Sequence, residues 1–318
     1  MLLKSEEAGA YVVVMEVSSH SLAEKRVKNL EFSEAVFTNL TQDHLDYHLT
    51  MDNYRNVKAS LFRQLATNGT AIINADDNSC YHMMISNNKN LTYGFSNSTY
   101  QILSYNYQND KMNICYKYNN KTYDVLTNLL GRHNVYNLIA VISSMHCLGI
   151  NIESVNKVIP FLTPPSGRLE VINYKNNKII IDYAHTCDAV KNVLNTAKEF
   201  STGKIYCIIG CGGNRDTSKR PMMASVALSL CDMVILTSDN PRNEDPKKII
   251  NDMIYGNEKY NNYDIIIDRC DAIKKAISML GTNDTLMILG KGHENYQIIG
   301  DTKYHFDDRE EVYKYIKR

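Results

Sequence analysis

Between Tyr11 and Lys58 the chain sets a carboxylate, two histidines and a lysine where a magnesium–phosphate site would want them. The β-branched run Tyr11-Val12-Val13-Val14-Met15 ends on Glu16, and the run Ala35 to Leu40 ends just before Asp43-His44-Leu45-Asp46-Tyr47-His48. Both runs are short and branched enough to be buried parallel strands. Ligands of an open α/β sheet gather outside the carboxyl ends of its strands, so Glu16 and the 43–48 loop are expected to face one crevice. A hard divalent cation takes oxygen ligands, and an imidazole can complete its shell. The helical run Met51 to Leu65 then carries Lys58 toward the same side. Taken singly, Glu16 and His44 read as solvated loop residues and Lys58 as a solvent-facing charge.

The second half supplies a different set of groups. Ile179-Ile180-Ile181 delivers Asp182-Tyr183-Ala184-His185, Ile205 to Ile209 delivers Gly210 to Pro221, Val234 to Leu236 delivers Thr237 to Pro246, and Leu286 to Leu289 delivers Gly290 to Gln297. Four βα junctions thus carry glycines or charged groups. A Gly-rich turn at a helix start exposes N–H groups to an anion, although many such turns are only tight connections. Arg215, Arg220 and Arg242 can form carboxylate-binding forks there, or be ordinary surface arginines.

These junctions demand particular elements around them. After the helix carrying Lys58, an apolar segment over 70–74 and a helix over 78–86 are expected. Three Tyr-rich stretches (100–107, 112–118 and 121–126), separated by Asn-rich turns, read as antiparallel strands. Helices over 134–148 and 154–161 follow. The Pro160 to Gly167 cluster marks a boundary, giving domains 1–164 and 165–318. Beyond it strands and helices alternate over 179–289, which means a mostly parallel sheet with helices on both faces.

Composition narrows the function. The 318 residues suggest two domains able to bury separate cores. Lys plus Arg and Asp plus Glu are equal, 35 each, without a basic stripe, so nucleic acid and anionic membranes are poor partners. No apolar run approaches membrane-spanning length and the start lacks signal-peptide form. Eight cysteines without a CxxC pair read as reduced thiols of a cytoplasmic protein.

The runs MEVSSHSLAEKRV, FTNLTQDHLDYH, YRNVKASLF, LLGRHNVYN, PSGRLEVI, DYAHTCDAV, GCGGNRDTSKRP, TSDNPRNEDP and LGKGHENYQ, in this order, resemble the Mur ligases, and within them the MurE branch of peptidoglycan assembly. The resemblance implies a partial central ATPase domain, built of a parallel sheet and small antiparallel strands, followed by a Rossmann-like C-terminal domain. It assigns Glu16 and His44 to Mg²⁺ and Lys58 to a lysine carbamylated by CO2, whose new anion could help hold metal. It matches Ser18 and Arg26 to the UDP-sugar-dipeptide substrate. Asn134, Arg168, Asp182 and His185 match nucleotide-contacting positions, with ATP as co-substrate. Arg215, Asn240, Arg242, Gly290 and Glu294 match the pocket for the added amino acid.

The DNPR run, Asp239 to Arg242, is the version that resembles enzymes adding meso-diaminopimelate. Arg242 would fork onto the distal carboxylate, which L-lysine lacks, and Glu294 would pair with the distal amine. A buried arginine left without its anion costs about 3 to 5 kcal/mol, so discrimination above 100-fold is expected. The implied reaction is amide ligation: phosphoryl transfer from ATP to the D-glutamyl side-chain carboxylate, then attack by the incoming amine.

Several features depart from the family pattern. Neither Gly203-Lys204 nor Gly290-Lys291 is a phosphate loop, and the uridine-binding N-terminal domain is not in the sequence. A fragment, a split enzyme with a separate N-terminal half and an inactive remnant all accommodate this, and the chain alone is expected to expose an apolar sheet edge and not to turn over. Glu24 stands where the family usually has Gln, His133 replaces an aromatic, and Cys187 replaces a proline. An L-lysine-adding ligase, a folylpolyglutamate-type ligase and a non-catalytic module that binds an amino acid or a partner are the alternatives.

Overall fold

The computed structural model describes residues 2–42, 44–108 and 111–317. The chain divides into two compact units. One comprises residues 1–104, 115–123 and 136–155, and the other comprises 105–114, 124–135 and 156–318.

A first six-stranded sheet takes the strands in chain order: β1 (Phe32–Phe37), β2 (Leu65–Asn74), β3 (Lys89–Gly94), β4 (Tyr100–Gln108), β5 (Lys111–Tyr118) and β6 (Lys121–Thr127). Strands β1 to β4 are parallel where they pair. Asn119 and Asn120, both at positive φ, close the β5–β6 hairpin, as a two-residue turn between twisted strands requires. On β2 the run Ala71-Ile72-Ile73 is fully buried, and Phe37, Phe62 and Met83 pack in its core.

The run Tyr11–Met15 is not a strand. Tyr11 and Val14 are almost fully exposed, and the run joins no ladder. Among the described residues β1 is the edge of the sheet, paired only with β2. β-branched residues favour a strand where a neighbour provides both hydrogen bonds and burial, and here neither is present. The helix bearing Lys58 is also shorter than its pattern, Met51–Ala59, followed by a 3₁₀ turn at Phe62–Gln64. The expected 78–86 helix shrinks to a 3₁₀ turn at Cys80–Met83.

The second sheet runs β11-β10-β9-β12-β8-β7, made of β7 (Glu170–Tyr174), β8 (Asn177–Asp182), β9 (Ile205–Ile209), β10 (Met233–Leu236), β11 (Tyr263–Ile265) and β12 (Thr285–Leu289). All pairs are parallel except β7 with β8. Helices Cys187–Phe200, Lys219–Leu230 and Pro246–Ile254 cover one face, where Ile180, Leu194, Ile209, Met223, Ile250 and Leu289 meet. Helices Arg269–Met279 and Asp308–Ile316 cover the other, against Ile179, Ile181, Ile208, Ile273, Leu286 and Val312. Ile179, Ile180 and Ile181 thus alternate between faces that are both buried, which is why these strands read as unbroken apolar runs. A small antiparallel hairpin, β13 (Tyr296–Ile299) and β14 (Thr302–His305), follows β12.

Candidate functional site

Parallel strands β8, β9, β10 and β12 release their loops at one edge of the second sheet, and the residues expected to bind ligand in this half meet there. At the end of β8, Asp182 is buried and its carboxylate accepts from Leu169 N and Ala184 N, both at 2.8 Å. Burial pushes this carboxyl up, while the two amides, Arg168 and His185 oppose it. The Arg168 guanidinium lies 5.0 Å over the Tyr183 ring. Gly167, at φ +68, has no room for a side chain, since a Cβ would come within 2.1 Å of the backbone at Gly292 and His293. Asn134 Nδ2 donates to Leu130 O at 2.7 Å. The imidazole of neighbouring His133 is pushed down to about 4, first by loss of water around it and then by the Arg168 cation.

Around the ends of β9, β10 and β12, Arg215, Asn240, Arg242, Gly290 and Glu294 form one cluster. A Cβ on Gly212 would lie 3.0 Å from Arg242 Nη1 and 3.6 Å from Arg215 Cγ, so both arginines border the same glycine. Arg242 has φ +50, a left-handed conformation that costs a non-glycine residue energy. The hairpin holds it there: Arg242 N donates to Ile298 O at 3.0 Å, and Gly300 N donates to Arg242 O at 2.8 Å. Its Nη1 donates to Gly213 O at 2.8 Å. Asn240 Nδ2 donates to Glu294 Oε2 at 2.9 Å, and Tyr296 OH donates to Glu294 Oε1 at 3.4 Å. Gly290, at φ +110, lets the chain pass Asp239, whose Oδ2 a Cβ would approach to 2.8 Å.

Arg220 takes no part in a ligand fork. It is buried, bonded to Glu244 and Asp252 and to Gly212 O, and so fastens the glycine loop from beneath. Tyr183, His293 and Lys291 also belong to this cluster, although sequence reasoning did not single them out. The Tyr183 ring lies 5.0 Å from that of His293 and 4.6 Å from that of His185. Tyr183 and His293 follow motif residues directly, but an aromatic after a strand carries no charge signal to mark it.

The first unit gathers Lys58, Glu16 and His44 more loosely. Lys58 is half-buried, its Nζ 3.4 Å from Asn39 O and 5.3 Å from the centre of the Tyr54 ring. Burial lowers the Lys58 amine, while the carboxylates of Asp77 and Glu16 partly restore it, which places both near the amine. Asp77 is fixed by amides of Leu40 and Ser79, each at 2.7 Å. It lies after β2 in the Asn-Ala-Asp-Asp run and was not picked out from sequence. His44, in left-handed conformation, has its ring 6.1 Å from Tyr54 and 5.0 Å from His20. His48 is buried, stacked on Tyr54 and bonded to Ser19 Oγ at 2.8 Å. Asp43, part of the same expected loop, lies outside the described residues.

Ser18 caps the short helix Ser19–Ala23, accepting from Ser21 N at 3.2 Å. Arg26 is exposed and paired with Glu24, the residue that departs from the family pattern. Among the described residues no group of three or more His, Cys, Asp or Glu side chains is placed to hold a metal ion.

The profile of the Mur ligase middle domain matches residues 1–145, and that of the Mur ligase glutamate ligase domain matches residues 167–292. The chain belongs to the Mur ligase family. It is similar to UDP-N-acetylmuramoyl-L-alanyl-D-glutamate–2,6-diaminopimelate ligase of Bacillus cereus, 44% identical over 317 residues, covering 96% of this chain and 64% of that one. The ligase of the same name from Fusobacterium nucleatum is 45% identical over 312 residues, with the same coverage. A solved structure of such a ligase superposes with a TM-score of 0.67 at 36% identity, over 95% of this chain and 63% of the other. This Mur ligase chain therefore spans just under two thirds of the relatives it matches.

Proposed function

We propose that this chain carries the amino-acid-adding and metal-facing parts of an ATP-dependent ligase that joins meso-diaminopimelate to UDP-N-acetylmuramoyl-L-alanyl-D-glutamate. The observation that supports it is the Arg242–Asn240–Glu294 cluster. Two guanidinium-bearing stems border one glycine, and a carboxylate oriented by an amide stands beside them. Such a pocket complements the distal end of meso-diaminopimelate, which presents both a carboxylate and an ammonium. L-Lysine would offer only the ammonium and leave Arg242 without its anion. The same DNPR and GKGHE runs argue against a folylpolyglutamate-type substrate.

Around Lys58 the donor chemistry fits a hard divalent cation. A lysine amine lowered by burial is suited to losing its proton and adding CO2, the N–H bond giving way to an N–C bond and a new carboxylate, although the two carboxylates beside it oppose the loss of the proton. Glu16, His44 and the Lys58 carbamate would then hold Mg²⁺, which when bound offsets phosphate charge. Arg168, Asp182, His185 and Asn134 would line the nucleotide side, with Arg168 adding positive charge where negatively charged reactants meet. Ser18 and Arg26 would contact the UDP-sugar dipeptide once Arg26 leaves Glu24. Eight cysteines, all free, agree with a cytoplasmic setting. Among the described residues no helix is long and apolar enough to cross a membrane.

Calorimetry on the 318-residue chain tests the reading. Meso-diaminopimelate should bind about 10- to 100-fold more tightly than L-lysine, the difference of about 1.5 to 3 kcal/mol expected from one charge-assisted fork. This is a smaller margin than full burial would give, because Arg242 is only half-buried. Equal affinity for the two amino acids would reject the assignment. Binding of the amino acid with no binding of ATP would favour a non-catalytic module.

A further inference from the structure

Lys291 carries the cationic charge of the GKGHE run and lies beneath the Glu294 carboxylate, away from the open side of the cluster. Its side chain is fully buried, an unusual state for lysine, and it lies between the aromatic rings of Tyr296 and Phe306, 5.7 and 5.9 Å from their centres. Its Nζ donates to Asn240 Oδ1 at 3.2 Å and to Glu294 Oε2 at 3.4 Å. Asn240 Oδ1 also accepts from Ile298 N at 2.9 Å. With two donors on the amide oxygen, the amide nitrogen of Asn240 has one orientation, toward Glu294 Oε2. The ammonium therefore fixes Glu294 twice, once directly and once through Asn240.

We infer that Lys291 is a positioning residue that holds the Glu294 carboxylate in place to receive the distal ammonium of the amino-acid substrate, and so takes part in substrate discrimination without touching the substrate. Its burial is consistent with this. The ammonium is sealed from solvent, and in that setting of low dielectric its charge acts strongly on the carboxylates and the amide around it. Asp239, buried nearby, keeps a second carboxyl close to Lys291 and Arg269. Removing Lys291 would take away the cation that both Glu294 and Asp239 feel.

The inference rests on the proposed meso-diaminopimelate reading, and the test separates the two. Calorimetry compares the unaltered chain with Lys291→Met, using meso-diaminopimelate and L-2-aminopimelate, which keeps both carboxylates and the reacting amine but lacks the distal amine. Lys291→Met should weaken meso-diaminopimelate about tenfold or more, while leaving 2-aminopimelate within about threefold. An equal loss for both ligands would mean a merely structural lysine and would overturn the inference, as would no loss for either. If the unaltered chain binds neither ligand, the substrate reading falls and the inference with it. Should Lys291→Met fail to fold, the unaltered chain labelled with ¹³C at the lysine ε-carbon supplies the answer. A buried lysine resonance that moves with meso-diaminopimelate and not with 2-aminopimelate supports the role, and one that moves with neither or with both refutes it.

Discussion

The Glu294 side and the Lys58 side of this chain place their functional groups by opposite means. Around Glu294, buried side chains fix one another: Lys291 and Asn240 orient the carboxylate, Arg220 fastens the glycine loop, and the hairpin holds Arg242 in a strained conformation. Around Lys58, Glu16 and His44 are exposed, and the run that should deliver Glu16 from a strand has no ladder. A pocket whose side chains are locked by packing is preorganised for a ligand, and one built on an unpaired segment must acquire its geometry from whatever binds. The contrast teaches that the cluster around Glu294 is held by its own packing, whereas the group around Lys58 is not.

The largest effect that would break this contrast lies beneath the preorganised pocket. Arg269 and Asp308 form a fully buried ion pair at 2.7 Å, and Arg269 Nη2 also donates to Leu289 O, one residue before Gly290. Arg269→Met should destabilise the second unit by about 3 to 5 kcal/mol, because it strands the Asp308 carboxylate away from water. Urea unfolding followed by circular dichroism measures this, and a loss below about 1 kcal/mol would show the pocket does not depend on its floor. A smaller effect belongs to Arg242. Arg242→Gly and Arg242→Ala remove the same guanidinium, but only alanine retains a Cβ at φ +50. The glycine variant should be more stable than the alanine variant by about 1 kcal/mol, with both equally poor at binding meso-diaminopimelate. Equal stabilities would mean the strain has been relieved elsewhere.

Legibility in the sequence follows the same divide. Strands β9, β10 and β12 lie where their apolar runs place them, since a strand covered on both faces leaves an unbroken signal. The family motifs after them end up in one cluster, because parallel strands release their loops at a common edge. Elements of mixed exposure were not legible: β3, β7, the β13–β14 hairpin and helix Asp308–Ile316 carry partly or wholly exposed positions and short lengths. Tyr11–Met15 shows the reverse error. Its pattern is that of a strand, yet pattern states what a segment will do when paired, not that a partner is present. Lys291 carries no sequence signal of its own because its burial depends on Tyr296 and Phe306, and Phe306 arrives only after the hairpin.

Lys58 gives the smallest expected change and the sharpest view of the looser site. Burial lowers its amine in the folded chain relative to the unfolded one, with Asp77 and Glu16 opposing. The folded state therefore binds its proton less readily than the unfolded chain. The ammonium weakens folding at pH values below the folded pKa, and the penalty fades as pH rises toward the unfolded lysine value. Lys58→Met should accordingly stabilise the first unit by about 0.5 to 1 kcal/mol at neutral pH, with the gain vanishing in strongly alkaline solution. The same substitution should abolish a carbamate resonance that ¹³C-bicarbonate produces on the unaltered chain. That signal should strengthen as pH rises through the lowered pKa, since only the neutral amine adds CO2. A variant that is destabilised at neutral pH would show that the carboxylates outweigh burial. A carbamate signal that survives Lys58→Met would move the modification to another lysine, and with it the proposed metal ligand.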